Sequence, residues 1–430
     1  MWVSRNVFNS VLSLSHCRVS LAATRTLSFR ADRPEAVWDG MYHRGVPRTM
    51  EEMSEMLKSK VDSPPDAHLL KVAIVGVPNC GKSTLINNLM GWRVCSVSSK
   101  VHTTRISARA VLNNGSTQIV FLDTPGLVSP LEVSKHKLER TMMTESEISL
   151  HSVDLVAVLH DMSNHYTCNA LHSRVLRLLA LYPKVPSILI LNKLDLVKSK
   201  SRLLESTSIL TCESVGGNQA KGERQAKEVL DKEALIRKTL VLEKQKGQQN
   251  VPKTIETKRF TEEDVFKGRV QLTEQEVMEF IKERQGWPLF QEVFMISGLK
   301  GLGVEDLKDY LLTSAKRAPW IFGSQVVTDQ NPEEIALMAV REKFLDTFKE
   351  EIPYEVNFRI EHWDLTEADL LYISVKVGCK RQGLTGFIIG YRGQRVAAIA
   401  REAEQELRNT FRTEVKLRIN VEYDASLQKK

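Results

Sequence analysis

Cysteine is scarce in this 430-residue chain and stands singly. Its six cysteines, Cys17, Cys80, Cys95, Cys168, Cys212 and Cys379, include no C-x-x-C pair. That excludes a zinc knuckle or a disulfide framework and fits a reducing compartment. Long apolar runs are also missing. The longest, such as Val185 to Leu191, are strand-sized, so the pattern contains no membrane span. Acidic residues are absent until Asp32, while Arg5, Arg18, Arg25 and Arg30 stand among recurring serines. Val7, Val11, Leu12 and Leu14 share a helical face there. This is the composition of a mitochondrial transit peptide, with a disordered basic tail as the alternative. The arginines interrupt any secretory-signal core. We expect a leader over residues 1–44, cleaved before about residue 45, and a polar lead-in over 45–68. Apolar content of 42% and charge of 26% are those of a globular protein. The net charge of +7 allows a polyanionic partner without identifying one.

What is present begins with Gly76-Val77-Pro78-Asn79-Cys80-Gly81-Lys82-Ser83, which fits G-x-x-x-x-G-K-[ST]. An apolar, β-branched run, Leu70 to Val75, precedes it, and a helical pattern starts at Thr84. This is the strand–loop–helix setting of a phosphate cradle. Lys82 is expected to reach the β and γ phosphates and Ser83 to hold Mg²⁺. A switch loop is expected at 100–105, with Thr104 closing on the γ-phosphate and the metal. The strand Thr117 to Leu122 ends in Asp123-Thr124-Pro125-Gly126. Asp123 would bind Mg²⁺ through water, and the Gly126 amide would sense the γ-phosphate. The next residue is Leu127, so the Gln that orients water in Ras-type enzymes is absent. Slow or assisted hydrolysis follows, and a scaffold that holds GTP without turnover is the rival reading.

Two further apolar strands are expected at Val153 to Leu159 and Ser187 to Leu191. The second ends in Asn192-Lys193-Leu194-Asp195, the N-K-x-D guanine reader. The Asp195 carboxylate can accept from the two donors on the guanine edge, and adenine offers no such pair. Ser297-Gly298 after a later strand supplies the supporting loop, Gly298 through a backbone N–H to guanine O6. The nucleotide site is therefore expected at Gly76, Pro78, Asn79, Cys80, Gly81, Lys82, Ser83, Thr84, Asp123, Thr124, Gly126, Asn192, Lys193, Asp195, Ser297 and Gly298. Lys82, Thr104, Asp123 and Gly126 carry the catalytic expectation, and Ser83, Thr104 and Asp123 the metal. Between Lys198 and about Val270 the composition turns to Lys, Glu, Gln, Ser and Gly, and reads as a flexible or partly helical insertion.

The last hundred residues form a second pattern, α-β-β-α-α-β. Asn331-Pro332 opens a helix, and Leu371, Ile373, Val375 and Val377 alternate with polar residues. Gly390-Tyr391-Arg392-Gly393 lies between two helices. A G-x-x-G so placed describes a KH domain, whose loop lets an RNA backbone pass close by. Residues 376–418 carry ten Lys/Arg against four Glu, which suits a phosphate backbone. Gly390, Tyr391, Arg392, Gly393 and Arg395 are the expected RNA contacts. Ile388 and Ile389 read equally well as core or as base contacts.

Taken together, G-x-P-N-x-G-K-S, T-T-R, D-T-P-G, N-K-x-D and the C-terminal G-x-x-G unit resemble the Era family of GTPases. With the arginine-rich leader, the resemblance is to its animal mitochondrial branch. It covers roughly residues 69–430 outside the insertion. It implies an α/β P-loop GTPase domain (69–325) with a mostly parallel sheet, followed by an α+β type II KH domain (326–430). It implies GTP/GDP and Mg²⁺ as cofactors. It also implies a chaperone of mitochondrial small-subunit (12S) rRNA, bound near its 3′ end, that promotes small-subunit assembly, with no DNA partner. The expected location is the mitochondrial matrix, with a peripheral contact on the inner membrane as the family's hint. Asn79 matches a position that helps hold K⁺ in related GTPases lacking the catalytic Gln. Tyr391-Arg392 departs from the Lys-Gly usual in the family's loop.

Overall fold

A computed structural model describes residues 45–94, 108–123, 153–219, 261–270, 272–348, 352 and 355–426. The described residues fall into two compact units. One is drawn from Met1–Cys168, Ser187–Lys198 and Val293–Lys430, the other from Asn169–Pro186 and Ser199–Glu292.

The first unit opens on helix α1, Met50–Lys58. The Thr49 hydroxyl caps it by accepting from the Glu52 N–H at 3.2 Å. Strand β1, His68–Val75, leads into the P-loop, and α2, Lys82–Met90, leaves it. Then come β2, Ala108–Asn114, β3, Thr117–Asp123, and β4, Leu155–Asp161. After α3, Ser173–Leu181, the chain returns as β5, Ser187–Asn192. Helices α4, Lys200–Leu210, α5, Glu262–Phe266, and α6, Glu274–Ile281, precede β6, Phe290–Met295. Helix α7 is Val304–Thr313, and the short β7, Lys316–Arg317, pairs with the start of β1.

The strands form one sheet in the order β2-β3-β1-β4-β5-β6, with β7 alongside β1. Strands β3, β1, β4 and β5 run parallel, and β2 is antiparallel to β3. Parallel strands of this kind are buried on both faces, which is why β4 and β5 read as unbroken apolar runs. Val72, Ile74, Ile119, Phe121, Ala157, Leu159, Ile188 and Ile190 build the core with Leu85 and Ile86 of α2. Where parallel strands end in loops, ligands bind. Gln118 anchors the exit from this core. Its fully buried amide accepts from the Ile321 and Phe322 N–H groups, both at 3.1 Å, and donates to the Phe322 carbonyl at 2.9 Å.

The C-terminal part follows the expected order. Helix α8 is Pro332–Thr347, capped by Asn331. Strands β8, Val356–Leu365, and β9, Leu370–Cys379, are antiparallel. Helices α9, Gln382–Ile389, and α10, Gln394–Phe411, come next, and β10, Glu414–Tyr423, pairs parallel to β9. The mixed sheet turns Leu371, Ile373, Val375 and Val377 onto Ala336, Val340, Ile399 and Leu407 of the helices. The lead-in is not a passive tail. Val46 is buried in this core, and the Arg48 carbonyl accepts from Trp363 Nε1 at 2.9 Å.

In the second unit, α4 lies within the stretch that composition marks as an insertion, and Leu210 at its end is fully buried. Gly286 lets the chain pass, since a Cβ there would stand 2.3 Å from the Ile209 carbonyl oxygen. The rings of Phe280 and Trp287 pack edge-on to Phe266. No helix among the described residues is long and apolar enough to cross a membrane.

Candidate functional site

The phosphate cradle is built by backbone conformations that few residues accept. Asn79 has φ 61° and Gly81 φ 100°, both left-handed. A Cβ on Gly81 would lie 2.4 Å from Asn192 Nδ2, and one on Gly76 2.5 Å from the Leu159 carbonyl oxygen. Glycine is therefore required at both positions by close approach. Gly81 is also the N-cap of α2, so the helix's first N–H groups point into the loop. Lys82 is 7% exposed and its ammonium donates to the Gly76 and Val77 carbonyls, both at 3.3 Å. Ser83 follows on the first helical turn. Cys80 is fully buried beneath the loop, and burial pushes its thiol pKa up. It is wall, not nucleophile. This cradle suits a polyphosphate with its metal: fixed amides, one ammonium and one hydroxyl converge on one opening.

The base-reading loops meet the cradle through one buried side chain. Asn192, 2% exposed, donates from Nδ2 to the Cys80 carbonyl at 2.8 Å. Its Oδ1 accepts from the Gly298 N–H at 2.8 Å. Asn88 of α2 donates to the Gly298 carbonyl at 3.2 Å. The P-loop, the 192–195 loop and the 297–298 loop are thus tied into one object. Lys193, at φ 64°, pairs with Asp161 at 2.6 Å. Asp161 in turn accepts from the Ser163 N–H and hydroxyl at 2.8 and 2.6 Å. The Asp195 carboxylate is 8% exposed. One oxygen accepts from the Ser297 hydroxyl at 2.7 Å, and Lys300 lies 4.0 Å from the other. That hydroxyl fixes the carboxylate plane, and the second oxygen is set for an N–H donor pair.

Sequence reasoning placed Gly76 to Thr84, Asn192, Lys193, Asp195, Ser297 and Gly298 in one site, and the structure brings them together. It gives the Gly298 N–H a protein partner, Asn192, where a direct contact to guanine O6 was expected. It adds Asn88, Asp161, Ser163 and Lys300. A Ser two residues after a strand-end Asp was the readable signal for Asp161 and Ser163. Thr104, Thr124, Gly126 and Leu127, and the side chain of Asp123, lie outside the described residues. Among the described residues no cluster of three or more His, Cys, Asp or Glu could hold a metal.

In the C-terminal part, Gly390 and Gly393 adopt φ 72° and 77°, and Arg392 between them φ 49°. A Cβ on Gly390 would stand 2.8 Å from Arg395 Cβ. Tyr391 is 73% exposed, with the Arg392 guanidinium 5.3 Å from its ring centre. Arg395 donates to the Phe387 carbonyl at 2.6 Å and lies 4.6 Å from the Phe387 ring centre. Ile388 is fully buried and belongs to the core, whereas Phe387, which composition did not single out, is half exposed beside the loop. Two aromatic rings and two guanidiniums thus border one glycine-hinged turn, a surface suited to stacking and phosphate contact.

Known proteins agree with both parts. The family model of 50S ribosome-binding GTPases matches residues 71–193. The mitochondrial GTPase Era of Salmo salar is 40% identical over 395 residues, covering 89% of this chain and 83% of the relative. That of Caenorhabditis elegans is 29% identical, covering 84% and 92%. A solved Era in complex with MgGDPNP and nucleotides 1506–1542 of 16S ribosomal RNA superposes with a TM-score of 0.57 at 24% identity, over 85% of this chain and 96% of that one. Aquifex aeolicus Era bound to GDP·AlF4⁻ gives the same score and identity over 84% and 96%. The cradle, the guanine-reading loops and the C-terminal α+β unit are therefore parts of one known design, and the chain belongs to the Era family of GTPases.

Proposed function

We propose that this GTPase uses its nucleotide cycle to grip and release the 3′ end of the mitochondrial small-subunit (12S) rRNA during small-subunit assembly. The observation that carries this reading is the pairing, in one chain, of a guanine-reading site held by Asn192, Asp195 and Ser297 with the glycine-hinged turn Gly390–Gly393. Era bound to a 16S rRNA fragment supports the RNA class, and mitochondrial relatives support the location. The acid-free, arginine-rich leader supports import into the matrix. A peripheral contact with the inner membrane is the family's hint.

Lys82 and the α2 N-terminus would hold the β and γ phosphates, and Asp195 the guanine edge. Ser83, Thr104 and Asp123 would hold Mg²⁺, which when bound neutralises phosphate charge. Thr124 and the Gly126 amide would line the γ-phosphate side. Leu127 supplies no group to orient water, so turnover by the chain alone is slow. Asn79, in its left-handed conformation, is the candidate K⁺ contact. Hydrolysis faster in KCl than in NaCl is expected, and equal rates would remove that role. On the RNA side, Gly390 and Gly393 admit the backbone, Arg392 and Arg395 meet phosphates, and Tyr391 offers a ring to a base. A scaffold that holds GTP without turnover is the rival, favoured only by Leu127.

Crosslinking the chain to RNA in cells and sequencing the fragments tests the reading. Reads gathered at the 3′ end of the small-subunit rRNA are expected. Reads spread over unrelated transcripts would refute it.

A further inference from the structure

Helix α2 begins at the phosphate cradle and ends, nine residues on, at Gly91 in a left-handed cap. Asn87 Oδ1 accepts from the Val94 N–H at 2.8 Å, which pins the next turn. Trp92 and Arg93 are held between these two restraints. Nη2 of Arg93 lies 2.5 Å from Glu342 Oε2 and 2.6 Å from Glu406 Oε1. Glu342 belongs to α8 and Glu406 to α10, and their carboxylates are 4% and 5% exposed. Lys343 completes the cluster, 2.9 Å from Glu406 and 3.6 Å from Glu342. Beside it, the Arg412 guanidinium sits 3.7 Å from the Trp92 ring centre, at the C-cap of α10.

Two carboxylates this close and this buried need two cations. Lys343 is local to them. The other, Arg93, comes from the turn that ends the phosphate helix. The far end of α10 is equally telling, because that helix starts at Gly393 of the G-x-x-G turn. At 1.5 Å per residue, α2 is about 14 Å long and α10 about 27 Å. Two rigid rods are thus clasped near their distal ends: one leads to the phosphates and the other to the RNA turn. A shift at the cradle moves Arg93, and Arg93 cannot move without uncovering Glu342 and Glu406.

We propose that Arg93, seated by Trp92, is a positioning residue that couples nucleotide state at the start of α2 to RNA grip at the start of α10. This rests on the reading that GTP and RNA are the two ligands. Coupling between sites is reciprocal and is measured as a ratio of affinities. The test titrates the full-length chain with an RNA oligonucleotide of the sequence 1506–1542 of 16S rRNA. It is run once with a non-hydrolysable GTP analogue and once with GDP. A roughly tenfold difference between the two RNA affinities is expected for the unaltered chain. In Arg93→Ala the ratio falls to within about twofold of unity. Its GDP affinity, measured alone, stays unchanged. Should Arg93→Ala fail to fold, Arg412→Gln removes only the cation over Trp92, leaves the carboxylates paired, and is expected to lower the ratio at least threefold (roughly). A ratio retained in the folded variant overturns the proposal, as does an unaltered chain that binds RNA equally in both states. An unaltered chain that binds the oligonucleotide in neither state instead refutes the RNA reading on which the proposal stands.

Discussion

Removing the Asn192 side chain is expected to unseat two loops at once. In Asn192→Ala the Cys80 carbonyl and the Gly298 N–H each lose a partner at 2.8 Å. The Cys80 side of this pair is fully buried and Asn192 itself is 2% exposed, so water replaces the amide poorly. A buried polar group left unpaired costs about 1–3 kcal/mol, so the two together cost about 2–4 kcal/mol. For a core of this size that lowers Tm by about 6–12 °C. Nucleotide affinity falls as well, because the 297–298 loop carries the hydroxyl that holds Asp195 at 2.7 Å. Loss of one hydrogen bond to a charged group, about 1.5–3 kcal/mol, weakens GDP binding about 10- to 100-fold. Thermal unfolding of the nucleotide-free chain and titration with a fluorescent GDP read the two effects separately. A Tm within about 2 °C of the parent with affinity within about twofold would refute the claim that Asn192 is the tie.

Three other outcomes follow from the same geometry. Asp195→Asn exchanges a double acceptor for a donor and acceptor, so xanthine nucleotide should gain affinity as guanine nucleotide loses it; a competition assay in which xanthine gains nothing refutes the guanine-reader role. Gly393→Asp puts a β-carbon and a negative charge at φ 77° in the RNA turn, and RNA affinity should fall at least about tenfold while GTP binding holds; an unchanged filter-binding curve would count against that turn as the RNA contact. Glu406→Gln probes the clasp by pH. Burial pushes the Glu406 carboxyl up to about 7 from 4.5, against Arg93 and Lys343, which lower it, and Glu342, which adds to the rise. Because the folded value is raised, the stabilising contribution is complete below about 4.5 and is lost as pH climbs through 7. The parent should lose on the order of 3 kcal/mol from this group between pH 5 and 8; denaturant melts of Glu406→Gln should lack that slope, and an identical slope would remove Glu406 as its source.

Much of this was legible because each motif carries its own local physics. Gly81 and Gly76 are glycines because Asn192 and the Leu159 carbonyl crowd them, and spacing alone locates such positions. Alternation at Leu371, Ile373, Val375 and Val377 disclosed β9, since one face is buried. Thr261 and Thr273, each followed three residues on by an acid, announced α5 and α6 through capping boxes. Helix α4 was hidden because Lys, Arg, Ser and Thr dilute its few apolar positions. The Arg93 clasp left no periodic trace at all. It joins residues about 250 and 310 positions apart, and such pairing is set by how units pack, not by any local pattern. Ile388, ambiguous on the page of letters, is decided as core only by its zero exposure.

The most direct test of the whole account is single-turnover GTP hydrolysis by the full-length chain, with and without the 3′-terminal small-subunit rRNA oligonucleotide. The account predicts slow turnover alone, reflecting Leu127, and a rate raised severalfold by RNA. An equal rate in both conditions, or no cleavage in either, would contradict it.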